Sequence, residues 1–191
     1  MKIMRLAVVL CAAVVLAACL PVTSDEPIGS TVGMTVDSEL LGVWRFTPND
    51  GKDVIYFHFL RQQDESISAV LVEVPADNND SRWGVYSVQT TTLGGNHFAN
   101  VRAVLAQGKP VEGEEARMFP VLYRIDGSRL FIYLIDEHAA AAAVEAGKVS
   151  GETSGSDVRI TADAKASDAF FTSVEGAALF SAELGSFAKV E

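Results

Sequence analysis

The chain has 191 residues, of which 15 are Lys or Arg and 25 are Asp or Glu, so its formal net charge is −10. An acidic chain is repelled by nucleic acid and by anionic lipid, so we expect no nucleic-acid partner and no membrane attachment through a basic surface. The length fits a single domain that is large enough to build its own hydrophobic core.

The first 18 residues have the pattern of a secretory leader. Lys2 and Arg5 precede an apolar run over residues 6–18. This run is shorter than the roughly 20 residues that a membrane-spanning helix needs, and it ends in small residues, as a cleaved signal peptide does. We therefore expect residues 1–18 to be removed.

The leader ends in Leu16-Ala17-Ala18-Cys19. This quartet resembles the lipobox of bacterial lipoproteins. The resemblance implies cleavage between Ala18 and Cys19, acylation of Cys19, and a chain held in a membrane by its lipid. With Leu20 after the cysteine, it also implies the outer membrane, with the domain facing the periplasm.

Cleavage would change the chemistry that is open to the chain. The leader carries two basic residues and no acidic one, so its loss lowers the formal charge from −10 to −12. Cys11 lies in the leader and Cys19 would carry the lipid, so the mature fold keeps no other cysteine. Disulfides, zinc–thiolate sites and a cysteine nucleophile are thereby excluded.

Residues 19–36 contain two Pro, two Gly and several Ser and Thr without clear periodicity. This composition predicts a flexible tether between the lipid and a single globular domain over residues 37–191. A short helical turn is expected over residues 37–41, at the entrance to the domain.

Short segments with strand periodicity, separated by turn signals, fill the chain from Gly42 to Ile135. Asp126-Gly127 lies between two of them and is a strong hairpin signal. The connections are too short for crossover helices, so the pattern predicts a mainly β, antiparallel meander that closes into a barrel or packs as a sandwich. The seven predicted strands are residues 42–46, 53–60, 67–74, 83–93, 98–105, 118–125 and 129–135.

The last third of the chain predicts two or three short helices. Asp136 and Asp163 are suited to cap two of them, and Gly147 is suited to end the first. Residues 149–157 are predicted as a loop, residues 158–160 as a short strand, and residues 187–190 as a final strand that returns to the sheet.

Gly42 and Trp44 resemble the Gly-x-Trp signature of lipocalins and related small barrels. The resemblance implies a barrel whose first strand follows a short helical turn and whose Trp44 closes one end. It also implies a basic side chain stacked on that Trp, for which Lys189 has the right position. The alternative is a Trp that is simply packed in a β core.

Catalytic and metal-binding patterns are absent from the sequence. The histidines His58, His97 and His138 lie in different segments, without the spacing of metal ligands. No serine occurs in a nucleophile-elbow context. Glu112, Glu114 and Glu115 do not have the spacing of a calcium loop and are expected to be solvated. We therefore expect no cofactor, no metal and no enzymatic activity.

One set of polar residues could orient a ligand inside a closed barrel. Strand alternation gives the set Tyr56, His58, Tyr86, Asn100 and Arg102 if all five face inward. The alternative, an outward and solvated face, is the commoner arrangement for polar residues of a sheet.

Two functions are consistent with these features. The first is non-enzymatic binding of a small apolar or amphipathic envelope molecule in the barrel, which fails if Phe57, Phe59 and Phe98 fill the interior. The second is a protein-binding module, such as an envelope assembly factor or an inhibitor of a basic hydrolase, because an acidic surface steers cationic partners.

Overall fold

The computed structural model describes residues 22–47, 53–64, 66–76, 81–155 and 157–190. The leader, Cys19, and the predicted turns at residues 48–51 and 77–80 lie outside these ranges. In chain order the strands are β1 (Val22–Ser24), β2 (Gly42–Phe46), β3 (Asp53–Arg61), β4 (Ile67–Pro75), β5 (Arg82–Leu93), β6 (Asn96–Ala106), β7 (Lys109–Pro110), β8 (Met118–Asp126), β9 (Arg129–Leu134), β10 (Gly151–Ser154), β11 (Asp157–Ile160) and β12 (Ala182–Lys189).

Eight of these strands form a closed antiparallel barrel in the order β2-β3-β4-β5-β6-β8-β9-β12. Each strand pairs with the next along the chain, except that β7 and the β10–β11 pair are left out. The pairing of β12 with β2 closes the ring, with Lys189 opposite Trp44 and Ala188 opposite Arg45. The predicted meander is therefore a barrel, and it uses all seven predicted strands together with the C-terminal one.

Three short helices lie between β9 and β12 in the chain, and their number agrees with the prediction: α1 (Glu137–Glu145), α2 (Ala164–Thr172) and α3 (Val174–Ala178). The Asp136 carboxylate accepts from the Ala139 amide at 2.8 Å, and Asp163 does the same for Ala166. These side chains satisfy amides that a helix start leaves without a partner.

The hydrophobic residues form two cores on either side of the barrel wall. The first fills part of the barrel and includes Trp44, Ile67 and Phe187. The second lies between the outer face of the barrel and the helices, and it includes Phe98 and Phe171. Strand alternation explains the division, because neighbouring residues of one strand point to opposite faces.

The predicted tether is wrong for residues 22–36, which we call the strap. In the strap, β1 pairs in parallel with β11, and Val22 and Ile28 are buried in the outer core. A segment rich in Gly, Ser and Thr is thus fixed by partners that lie more than 50 residues away in the chain.

Two further boundaries differ from the prediction. Residues 151–154, predicted as loop, form β10 because the predicted strand β11 offers them an antiparallel partner. The final strand begins at Ala182 rather than at Phe187, since its first half pairs with β9 around an irregularity at Gly185.

Candidate functional site

One end of the barrel is closed by the residues that enter β2. The Trp44 indole is fully buried and donates from Nε1 to the Leu40 carbonyl at 2.8 Å. Lys189 Nζ lies 5.0 Å from the Trp44 ring centroid and donates to the Glu39 carbonyl at 3.1 Å. This is the Trp–cation arrangement that the lipocalin resemblance implied for Trp44 and Lys189.

Gly42 is required where β2 begins. Its backbone φ angle is 112°, a value that residues with a Cβ atom rarely adopt. The Lys189 stem also passes close by, 3.5 Å from where a Cβ atom would lie. Gly42, Trp44 and Lys189 therefore form one packed unit at the closed end.

Tyr123 ties the entering segment to the barrel at the same end. Its hydroxyl donates to Asp37 Oδ2 at 2.8 Å. Burial, and secondarily this hydrogen bond, raise the pKa of Tyr123 well above its usual range. The phenol thus stays protonated and remains a donor to Asp37.

The barrel is not filled by its side chains. A cavity of about 490 Å³ runs from the interior to the surface at the end opposite Trp44, which is within the size range of small-molecule sites. Phe57 and Phe59 lie in the interior with their rings 5.7 Å apart, whereas Phe98 packs outside against Phe180. The inner part of the cavity is mostly apolar, and its lining includes Phe57, Phe59, Leu71, Tyr86, Val88, Val101, Phe119, Leu130 and Ile132.

Tyr86 places a hydroxyl among these apolar groups. Among the described residues, no hydrogen-bond partner is found for that hydroxyl. Burial raises the pKa of Tyr86 to about 12 from the usual 10.0. The phenol is therefore a neutral group that can donate to or accept from a polar atom of a bound molecule.

The cavity reaches the surface between two groups of charged residues. We call this opening, with the charged residues on its two sides, the mouth. One side is the 3-10 turn with Glu114 and Glu115, together with Arg117 just after it. The other side is formed by β10, β11 and β1. Arg117 pairs with Glu114 at 2.8 Å. On the far side, Arg159 pairs with Asp25 at 2.8 Å.

A charged pair also lies on the inner face of the wall. Glu73 continues the inward row of Ile67, Ala69 and Leu71 on β4 and is 2% exposed. It pairs with Arg82 on the neighbouring strand. The guanidinium group offsets part of the cost of burying the Glu73 carboxylate, since an isolated charge is unfavourable in a low-dielectric interior.

The structure does not bring the five predicted ligand residues together. Tyr86 alone lines the cavity. Tyr56 and His58 alternate with the inward Phe57 and Phe59, so they lie on the outer face, where both are half-buried. For them the outward alternative holds.

Asn100 and Arg102 also lie on the outer face of β6. The residues that alternate with them, Ala99 and Val101, line the cavity. Arg102 is exposed. Asn100 is buried and holds the strap: it accepts from the Ile28 amide at 2.8 Å and donates to the Ile28 carbonyl at 2.9 Å. This Asn interrupts an apolar strand for a structural reason.

Sequence reasoning missed Asp168, a buried carboxylate on α2. It accepts from the Gly29 amide at 2.6 Å, from the Thr31 amide at 3.0 Å, and from the Thr31 hydroxyl. The available signal was an acidic residue close to Phe170 and Phe171, which are buried on the same helix. Its partners could not be found without the fold.

Two negative findings concern the described part of the chain. Within it, no three His, Cys, Asp or Glu side chains lie close enough together to hold a metal ion. None of its helices is both long enough and apolar enough to cross a bilayer.

Comparison of the chain with protein-family models, with curated proteins and with solved structures found no match.

Proposed function

We propose that this protein is a lipid-anchored lipoprotein of the bacterial cell envelope that binds a small apolar or amphipathic molecule in its barrel without transforming it. The cavity carries the proposal, because a chain that only had to fold would fill its interior to close packing. About 490 Å³ of mostly apolar space that reaches the surface suits a ligand of this kind.

The anchor is proposed from the lipobox-like sequence ending at Cys19. Each buried acyl methylene contributes about 0.8 kcal/mol and a single chain holds only marginally, so stable attachment takes more than one chain. The Cys19→Ser variant should lose labelling by radioactive palmitate and leave the membrane fraction. Labelling that persists in this variant would contradict the anchor.

The ligand hypothesis is tested on the chain from Leu20 onward, which contains every described residue and no lipid of its own. Titration with N-phenyl-1-naphthylamine, an uncharged apolar dye, should give saturable binding with one site per chain and a rise in dye emission. Native mass spectrometry of the same chain purified from a bacterial periplasm should show a bound mass that organic solvent releases.

Two variants locate the dye. Ala103 lines the cavity, so Ala103→Leu should fill part of it and weaken binding about tenfold. Ala182→Leu places the same side chain at an exposed position and should leave binding unchanged. No binding by the parent chain, or equal binding by both variants, would overturn the ligand hypothesis and favour recognition of a basic envelope protein.

A further inference from the structure

The start of the folded chain lies at the cavity mouth. Val22 and Thr23 are among the residues that line the cavity. They belong to β1, which is held by β11 on one side and by the first residue of β8 on the other, where Ser24 lies opposite Met118. Met118 is at the end of the barrel opposite Trp44, so the chain enters the fold beside the opening.

The proposed anchor is close to this point. Three residue steps separate Cys19 from Val22, and an extended chain covers at most about 3.6 Å per residue. The length of the covalent chain alone therefore limits the Cα–Cα distance between Cys19 and Val22 to about 11 Å. This step depends on the lipid anchor of the proposed function.

Exposed apolar side chains lie on the outer wall around the same opening. Val74, Trp83 and Val104 are 41%, 37% and 42% exposed, and they belong to β4, β5 and β6 near the mouth ends of those strands. We call these three residues the collar. Trp is enriched at the boundary between bilayer and water, where its amphipathic ring is favoured.

The charges at the mouth restrict the ligand. Four carboxylates line it, those of Glu114, Glu115, Glu152 and Asp157, against two guanidinium groups. Both guanidinium groups are paired, Arg117 with Glu114 and Arg159 with Asp25 and Glu152. Glu115 and Asp157 have no cationic partner among the described residues. An anionic head group at the mouth would be repelled.

From the anchor position, the collar and the mouth charges, we propose that the cavity opens toward the bilayer that holds the chain. The cavity exchanges with this bilayer an amphiphile whose head group carries no net negative charge. A short connection to the lipid makes the exchange local, because the ligand passes between membrane and cavity without crossing bulk water.

Orientation is tested with the lipidated protein in phosphatidylcholine vesicles whose acyl chains carry bromine, which quenches nearby Trp emission. The chain has two Trp residues, and Trp44 is fully buried at the closed end. Emission from Trp83 should fall about twofold, as for an indole at the interface. The Trp83→Phe variant leaves only Trp44 and should show no quenching.

A linker variant provides the matched control. A Gly/Ser insertion of about 20 residues between Pro21 and Val22 adds a span of about 25 Å. It should reduce the quenching and slow transfer of N-phenyl-1-naphthylamine from the vesicles to the protein. Quenching that is equal in Trp83→Phe, or quenching and transfer that the insertion leaves unchanged, would overturn the orientation.

The charge preference is tested with a fluorescent alkylamine and a fluorescent fatty acid of equal chain length. The amine should bind about tenfold more tightly, and Glu115→Gln should narrow the difference. Equal binding would overturn the preference. If the unlipidated chain binds no dye, the proposed function fails, whereas dye binding without Trp83 quenching removes only the orientation.

Discussion

At the scale of single residues, Lys189 stabilises the closed end through two contacts. Its ammonium group lies over the Trp44 ring and donates to the Glu39 carbonyl. We expect Lys189→Met to lower the free energy of unfolding by about 1 kcal/mol, the usual worth of a partly exposed cation–π contact with a hydrogen bond. Urea denaturation measures it. Lys165→Met removes an exposed lysine on α2 as the control, and an equal loss there would contradict the role of Lys189.

Tyr86 predicts a pH dependence of stability at alkaline pH. Its pKa is about 12 in the folded chain and near 10.0 when unfolded, so the folded state holds the proton more tightly. The contribution of Tyr86 to the free energy of unfolding is fully present below pH 10. It falls by about 2 kcal/mol as the pH rises toward 12. Tyr86→Phe should therefore lose less stability than the parent between pH 10 and 12. Parallel curves would contradict the burial of Tyr86.

The sequence showed which polar residues lie on the strands, but it did not show whether their side chains point into the barrel or out of it. Asn100 was predicted as a ligand residue from strand alternation, and the alternation of β6 around it was right. Alternation within one strand, however, does not say which of its two faces is inside a barrel. The contact between Asn100 and Ile28 spans 72 residues, so no local pattern could separate a strap anchor from a ligand group.

At the scale of elements, the strap predicts a contrast between two glycines. Gly29 and Gly95 have nearly equal φ values of 85° and 83°. A methyl group at Gly29 would overlap the Thr91 side chain, whereas nothing lies within 4 Å at Gly95. Both changes to Ala pay the strain of a positive φ. The free energy of unfolding should therefore fall by about 1–3 kcal/mol more in Gly29→Ala than in Gly95→Ala, because the added methyl group overpacks the site.

Thermal unfolding of the two glycine variants measures this difference, and equal losses would show that the strap is not packed as described.

The strands themselves were predicted well, because turn residues separate runs of regular alternation. The strap was not, because its order comes from Asp168, Asn100 and β11. Composition reports a lack of local preference and says nothing of distant partners.

At the scale of the whole molecule, the sequence predicted a barrel but neither its cavity nor its mouth. The Gly-x-Trp resemblance indicated the closed end, since Gly42, Trp44 and the turn before them are close together in the chain. The mouth is assembled from β1, β10, β11 and the turn before β8, which are far apart in the chain. Whether an interior is filled depends on the side chains of eight strands at once, which periodicity does not report.

Neighbouring strands of the barrel wall are paired over different lengths, and this predicts where the wall opens first. β12 pairs with β2 only at Ala188 and Lys189, whereas β3 pairs with β4 along its full length. Toward the mouth the wall between β2 and β12 is completed by side chains, with the Phe46 and Phe187 rings 5.2 Å apart. Amides of β2 and of the first half of β12 should therefore exchange with deuterium faster than those of β3 and β4, because local opening there breaks fewer hydrogen bonds. Peptide-resolved exchange measured by mass spectrometry checks this order. Equal protection around the ring would mean that the wall opens only by global unfolding.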